Sequence, residues 1–213
     1  MLNKIIERKY LHRLDNIKQW QEMDVFKEES VSQHSYKVTI FARVLLEDIF
    51  GASKNSEVLE FKMQVITRAL FHDWDEALIL RDMSHETKYN DYNGDALRAV
   101  LNDLSKHIAV NEFREVGALT EISDSSRMMV EMICDCPEPA KTFAKLCDWL
   151  ALFFYMQREK HLGNKDLENS WNIAASKFPD AIDKVANMLE VHFSDVQMNF
   201  TELYNLKTIF DYG

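Results

Sequence analysis

Apolar positions recur along this chain with the period of an α-helix. Val38, Phe41, Ala42, Leu45, Leu46, Ile49 and Phe50 fall on one face of an amphipathic helix. Ser30-Val31-Ser32-Gln33 ahead of them fits a capping box, and Gly51 after them fits a C-terminal glycine. The same period predicts a second helix from about Glu57 to Leu80, with Val58, Phe61, Val65, Ile66, Ala69 and Leu70 facing inward. A third is expected over Ala96 to Ile108, a fourth over Asp124 to Cys134 ahead of Pro137 and Pro139, and a fifth over Ala140 to Glu159. Two more are expected near Lys165 to Ser176 and Pro179 to Phe193, separated at the proline. Arg81 to Asn93 is polar and weakly periodic and reads as a loop over a site. The expected architecture is all-α: one domain over residues 1–213, a helical bundle with a metal site between core helices. Its core would span about 10–160, with C-terminal helices over 161–213 packing on it.

Composition narrows the function classes. Apolar residues make up 46% of 213, enough for a full core. The formal net charge of -10 argues against a nucleic-acid polymer or an anionic membrane as partner. A small anionic substrate stays possible, since a bound metal inverts the field locally. Five glycines, at 51, 94, 117, 163 and 213, assemble neither a dinucleotide fingerprint nor a P-loop. Cys134, Cys136 and Cys147 are too few and too irregular for a disulfide framework or a zinc signature. The start of the chain is too charged for a signal peptide, and the apolar run Trp149 to Met156 is too short to span a bilayer. A cytoplasmic location is the expectation.

The candidate chemistry lies where ionisable residues interrupt apolar helices. His72-Asp73 breaks a run that otherwise reads as buried, and Glu76 follows one turn later in the same sector of an ideal helix. His34 lies in SVSQHSYKV near the start of the Val38–Phe50 helix, and Asp148 lies in the apolar string KLCDWLALFFY. Buried ionisable groups need partners or a metal. Each residue alone is a weak signal. Together His34, His72, Asp73 and Asp148 make a His2Asp2 set suited to one divalent cation, Mn2+, Co2+, Fe2+ or Mg2+. Open positions on such an ion would take a water and a phosphoryl oxygen.

The order H…HD…D resembles that of the HD superfamily, and the local strings look closer to the YfbR-like 5′-deoxynucleotidases. The matching pieces are RLDNIKQW, SVSQHS, HDWDE, DMSHETKY and LCDWL, in the family's order. The resemblance implies an HD-type fold and a metal-dependent phosphohydrolase that removes the 5′-phosphate from deoxynucleoside monophosphates. It implies that His34, His72, Asp73 and Asp148 are the metal ligands. It also implies that Glu76 orients the attacking water, that Asp82 protonates the leaving oxygen, and that Trp20 packs on the sugar against a 2′-hydroxyl. His85 falls in the stretch that meets substrate. A homo-oligomer, most simply a dimer, is implied too.

Two departures stand out. Gln19 occupies the position where the family pattern has an arginine for the phosphate, and HDWDEALILRD is one residue longer before its aspartate. Arg13, Arg81 and Lys88 are the candidate replacements. The changed clamp opens an alternative, a deoxynucleoside triphosphate hydrolase on the same site. A non-catalytic nucleotide-binding module is a second alternative, which Glu76 and Asp82 argue against. A cyclic-dinucleotide phosphodiesterase of the HD-GYP kind is a third, for which the extra histidines are missing.

Overall fold

A computed structural model describes residues 9–21, 23–74, 76–79, 96, 99, 100, 103 and 135–212. The architecture is all-helical, as the periodicity requires. Numbered over the described residues, the elements are α1 (Lys9–Asn16), α2 (Val31–Phe50), α3 (Ser56–Phe71), α4 (Glu76–Ile79), α5 (Glu138–His161), α6 (Glu168–His192) and α7 (Thr201–Asn205). A 3-10 helix follows over Leu206–Tyr212. Among the described residues the only β-type pairing is an isolated antiparallel bridge between Lys18 and Ser30. No described helix is long and apolar enough to cross a membrane.

The chain divides into two compact units. The first comprises Met1–Asp24, Glu28–His34 and Phe71–Cys136, and the second Val25–Lys27, Ser35–Leu70 and Pro137–Gly213. In the first, α1 packs on α4, and the Arg13 guanidinium donates to the Ala77 carbonyl at 3.3 Å. The chain then folds back on itself. The Gln19 N–H donates to the Glu29 carbonyl at 2.7 Å, and the Val31 N–H to the Ile17 carbonyl at 2.9 Å. Leu14, Ile17, Val31, Phe71 and Trp74 are buried, with the Phe71 and Trp74 rings edge to face at 5.7 Å.

The second unit is built on α5 and α6, which pack together, with α7 and the 3-10 helix against α6. Phe50, Phe61, Phe143 and Phe193 form an aromatic cluster with Phe61 at its centre, its centroid distances lying between 5.1 and 6.0 Å. Val38, Ala42, Leu45, Leu46 and Ile49 are buried, as their period predicts. Leu70, expected inward, is 42% exposed at the end of its helix.

The signals at the ends of α2 work as the sequence proposes. The Gln33 N–H donates to Ser30 Oγ at 3.2 Å while Gln33 Oε1 accepts the Ser30 N–H at 3.0 Å, a reciprocal capping box. Gly51 has φ +56°, in the left-handed region, and its N–H donates to the Glu47 carbonyl at 2.8 Å. The buried Lys62 ammonium then donates to the Gly51 carbonyl at 2.7 Å and to Glu47 Oε1 at 3.1 Å, placing a cation at the negative end of α2.

Two helix boundaries differ from expectation. The second helix ends at Phe71, not near Leu80, and His72 to Trp74 form a turn. The two C-terminal helices are one, Glu168–His192, with Pro179 inside it. An interior proline costs about 3 kcal/mol. Ala174, Phe178, Ile182, Val185 and Leu189 form a continuous buried stripe across it. Full burial of each larger side chain stabilises by about 1.5–3 kcal/mol, so the stripe outweighs the proline. The expected third helix is described only at Ala96, Ala99, Val100 and Asp103, all helical. The expected fourth helix and the loop Arg81 to Asn93 lie outside the described residues.

Candidate metal centre

The first unit brings His34 and His72 together, with Asp73 beside His72. His34 sits in the first turn of α2, fixed by the capping box and by its own N–H, which donates to the Ser30 carbonyl at 3.0 Å. It is buried. His72 follows the last residue of α3. The Trp74 N–H donates to the Phe71 carbonyl at 3.1 Å, the Glu76 N–H to that of Asp73 at 3.1 Å, and the Ala77 N–H to that of Trp74 at 3.2 Å. These three-residue closures tighten the chain between α3 and α4. His72 and Asp73 therefore project from a turn, and the ideal wheel that put them in one sector with Glu76 does not apply. The Trp74 ring of this turn is buried and meets the Phe71 ring edge to face.

The His34 and His72 rings are 5.3 Å apart between centroids, and each offers a nitrogen within 4.8 Å of the other's. Two imidazole nitrogens bound at about 2.1 Å stand at most about 4.2 Å apart on one ion. Asp73 Oδ2 lies 3.0 Å from His72 Nε2, close to the spacing of about 3 Å between adjacent donors on a six-coordinate ion with bonds of about 2.1 Å. The side chains of His72 and Asp73 are only 11% and 14% exposed. Imidazole and carboxylate donors in a largely dry setting fit a first-row divalent cation.

Among the described residues of the same unit, two acids are buried. Glu76 opens α4 and is 1% exposed. Glu29 is also buried, with Oε1 3.9 Å from His34 Nδ1. That is too long for a hydrogen bond. Sequence reasoning missed Glu29, because the polar string KEES reads as a solvated approach to a helix.

In the second unit Asp148 projects from α5. Its Oδ2 lies 2.6 Å from the Lys145 ammonium one turn earlier. Lys145 was not expected either, although its i,i+3 spacing to Asp148 is visible in the sequence. The neighbouring Cys147 is fully buried; burial first, and then the Asp148 charge, push its thiol pKa far up. Cys147 is thus an inert neutral thiol.

Of the substrate candidates, Trp20 is half-buried in a turn with φ +63°, a left-handed conformation that a bulky side chain rarely adopts. Gln19 is adjacent, its backbone tied to Glu29. Arg13 is engaged with the Ala77 carbonyl. Arg81, Asp82, His85 and Lys88 lie outside the described residues.

The family model for 5′-deoxynucleotidases of the YfbR-like type matches residues 8–198. The chain belongs to the YfbR-like family. Among solved structures, the chain is similar to an HD-domain phosphohydrolase from Listeria innocua. Identity is 18% and the TM-score 0.56, over 97% of this chain and 98% of that one. It is also similar to a protein from Pyrococcus horikoshii, at 20% identity and a TM-score of 0.54, over 97% of this chain and 100% of that one. At such identities these likenesses speak for the fold. No curated protein sequence matches the chain. YfbR-like membership and the HD fold make the chain a metal-dependent phosphohydrolase.

Proposed function

We propose that this YfbR-like protein hydrolyses the 5′-phosphate of deoxynucleoside monophosphates, with one divalent cation held by His34, His72, Asp73 and Asp148. The observation that carries the reading is the pairing of His34 with His72 in a dry setting, with Asp73 against His72. Asp148 is the carboxylate proposed to complete the His2Asp2 donor set. Bound there, the ion would supply Lewis acidity toward the phosphate and lower the pKa of a water.

The rest of the chemistry falls to the protein. Glu76 aligns the water in line with the scissile bond and takes its proton. The new P–O bond forms as the bond from phosphorus to the 5′-oxygen breaks, and Asp82 delivers a proton to that oxygen. The products are a deoxynucleoside and inorganic phosphate. Trp20 packs on the sugar and disfavours a 2′-hydroxyl, and His85 meets substrate. The enzyme works in the cytoplasm as a homo-oligomer.

Gln19 and Arg13 favour one competing reading. Gln19 carries no charge, and Arg13 is committed to the Ala77 carbonyl. Arg81 and Lys88 then remain as the phosphate clamp, and a changed clamp is compatible with a triphosphate substrate. A screen of deoxynucleoside mono- and triphosphates with Mn2+, Co2+ and Mg2+, products resolved by phosphate number, decides between them. Inorganic phosphate from monophosphates supports the proposal. Release only from triphosphates replaces it with the second reading, and no hydrolysis of either overturns both.

A further inference from the structure

We propose that Glu159 is a positioning residue for the nucleotide: it fixes the loop on which Trp20 is carried. This rests on the reading of Trp20 as the residue that meets the sugar.

Glu159 lies in the last turn of α5 and is completely buried. Its Oε2 accepts the Phe26 N–H at 2.7 Å, and its Oε1 accepts the Lys27 N–H at 3.0 Å. The Asn164 side-chain amide donates to Oε2 at 3.0 Å. Asn164 is itself locked, its N–H donating to the Glu159 carbonyl at 3.0 Å and its Oδ1 accepting the Asp166 N–H at 3.0 Å. In the next peptide, the Lys27 carbonyl accepts from the Tyr155 hydroxyl and from the Arg158 guanidinium, each at 3.3 Å. Three side chains of α5 thus grip two consecutive residues, and Asn164 buttresses the carboxylate among them.

What they grip is backbone alone. The Phe26 side chain is 64% exposed and the Lys27 side chain points to solvent. A grip that ignores side chains sets where the chain runs, not what it presents. The gripped residues form the tip of a loop closed at its base by the Lys18–Ser30 bridge and by the Gln19 N–H to the Glu29 carbonyl. Trp20 follows the base directly on one arm, and Glu29 ends the other. Trp20 is held at φ +63°, a strained conformation that persists only when its surroundings over-determine it. The Met23 N–H donates to the Trp20 carbonyl at 2.9 Å, and to this local turn the loop adds a base closed by hydrogen bonds and a tip held by a buried charge. A buried carboxylate is costly unless fully hydrogen-bonded. Here it accepts two successive N–H groups in bidentate fashion, which fixes direction as well as distance.

The test uses the full-length, metal-loaded protein and three variants: Glu159→Gln, Asn164→Ala and Glu159→Asp. Glu159→Gln turns one acceptor into a donor facing a backbone N–H. Hydrogen exchange at the Phe26 and Lys27 amides is expected to accelerate about 10-fold or more as local opening becomes easier. KM for a deoxynucleoside monophosphate should rise about 10-fold, and the preference over its ribonucleotide should fall, with kcat changed less than about twofold. Calorimetric affinity for Mn2+ should not change. Glu159→Asp, which keeps the charge, should recover part of the KM and of the preference. If Glu159→Gln fails to fold, Asn164→Ala, which removes one bond to the carboxylate, is read in the same way. Released amides with KM and sugar preference at wild-type values overturn the proposal, as do amides that stay protected. A wild type that hydrolyses no deoxynucleotide overturns the functional reading, and this inference with it. A wild type that does, beside variants with unaltered KM, overturns the inference alone.

Discussion

At the scale of single residues, the buried ionisable groups set the chemistry. Asp148→Ala should abolish phosphohydrolase activity and bound divalent ion together, measured by turnover and by metal content of the purified protein. The variant should still fold, because the ion pair it loses to the half-exposed Lys145 is worth no more than about 1 kcal/mol. Glu76→Gln separates the two roles. Activity should fall by about 10²-fold or more while bound metal stays at the wild-type level; full activity in this variant removes Glu76 from the water-orienting role. Trp20 allows a comparison between two replacements. At φ +63° glycine is unstrained and alanine is not. Trp20→Gly should therefore be more stable than Trp20→Ala by about 1 kcal/mol in urea unfolding, although both lose sugar selectivity. Of these residues, His34, His72, Asp73, Glu76 and Asp148 stand out in the sequence because each interrupts an apolar pattern. Glu29 and Glu159 do not. Each sits among other polar residues, and only burial distinguishes them from solvated acids.

At the scale of elements, periodicity carried most of the information. The helix through Val38 and Phe50 was legible together with its capping box and its glycine, because all three are local hydrogen-bonding devices. Its neighbour was misjudged at His72, where neither glycine nor proline marks the stop. The break coincides with three-residue turn closures at Trp74, Glu76 and Ala77 and with burial of the Trp74 ring. Pro179 gave the opposite error, a break expected where the helix continues. Local sterics favour a break there, and a buried stripe on one face of α6 overrides it. Pro179→Ala should restore the missing hydrogen bond to the Ala175 carbonyl and raise stability by about 1–3 kcal/mol, seen as a higher Tm without loss of activity.

At the scale of the molecule, the consequence is a pH dependence built on Glu159. Burial by itself raises its pKa. The bonds from Asn164 and from the Phe26 and Lys27 N–H groups, with the Arg158 charge, more than offset this and hold it below its ordinary value near 4.5. Asn164 and Arg158 are the side chains that act on it. A depressed carboxyl stabilises fully above its unfolded pKa and loses that contribution as pH falls through its folded one. Protection of the Phe26 and Lys27 amides should thus be complete above about pH 4.5 and decline progressively below it as the pH falls through the depressed folded pKa. In Glu159→Gln the acid step should be absent. The sequence by itself determined the all-helical class, the caps of α2, the order of the ionisable interruptions and, through its motifs, the family, since all of these are local patterns along one chain. Tertiary structure alone decided that the helix stops before His72, that His34 and His72 share one dry space, and that Glu159 is a buried clamp. Those depend on which surfaces are taken out of water, and no spacing along the chain encodes that.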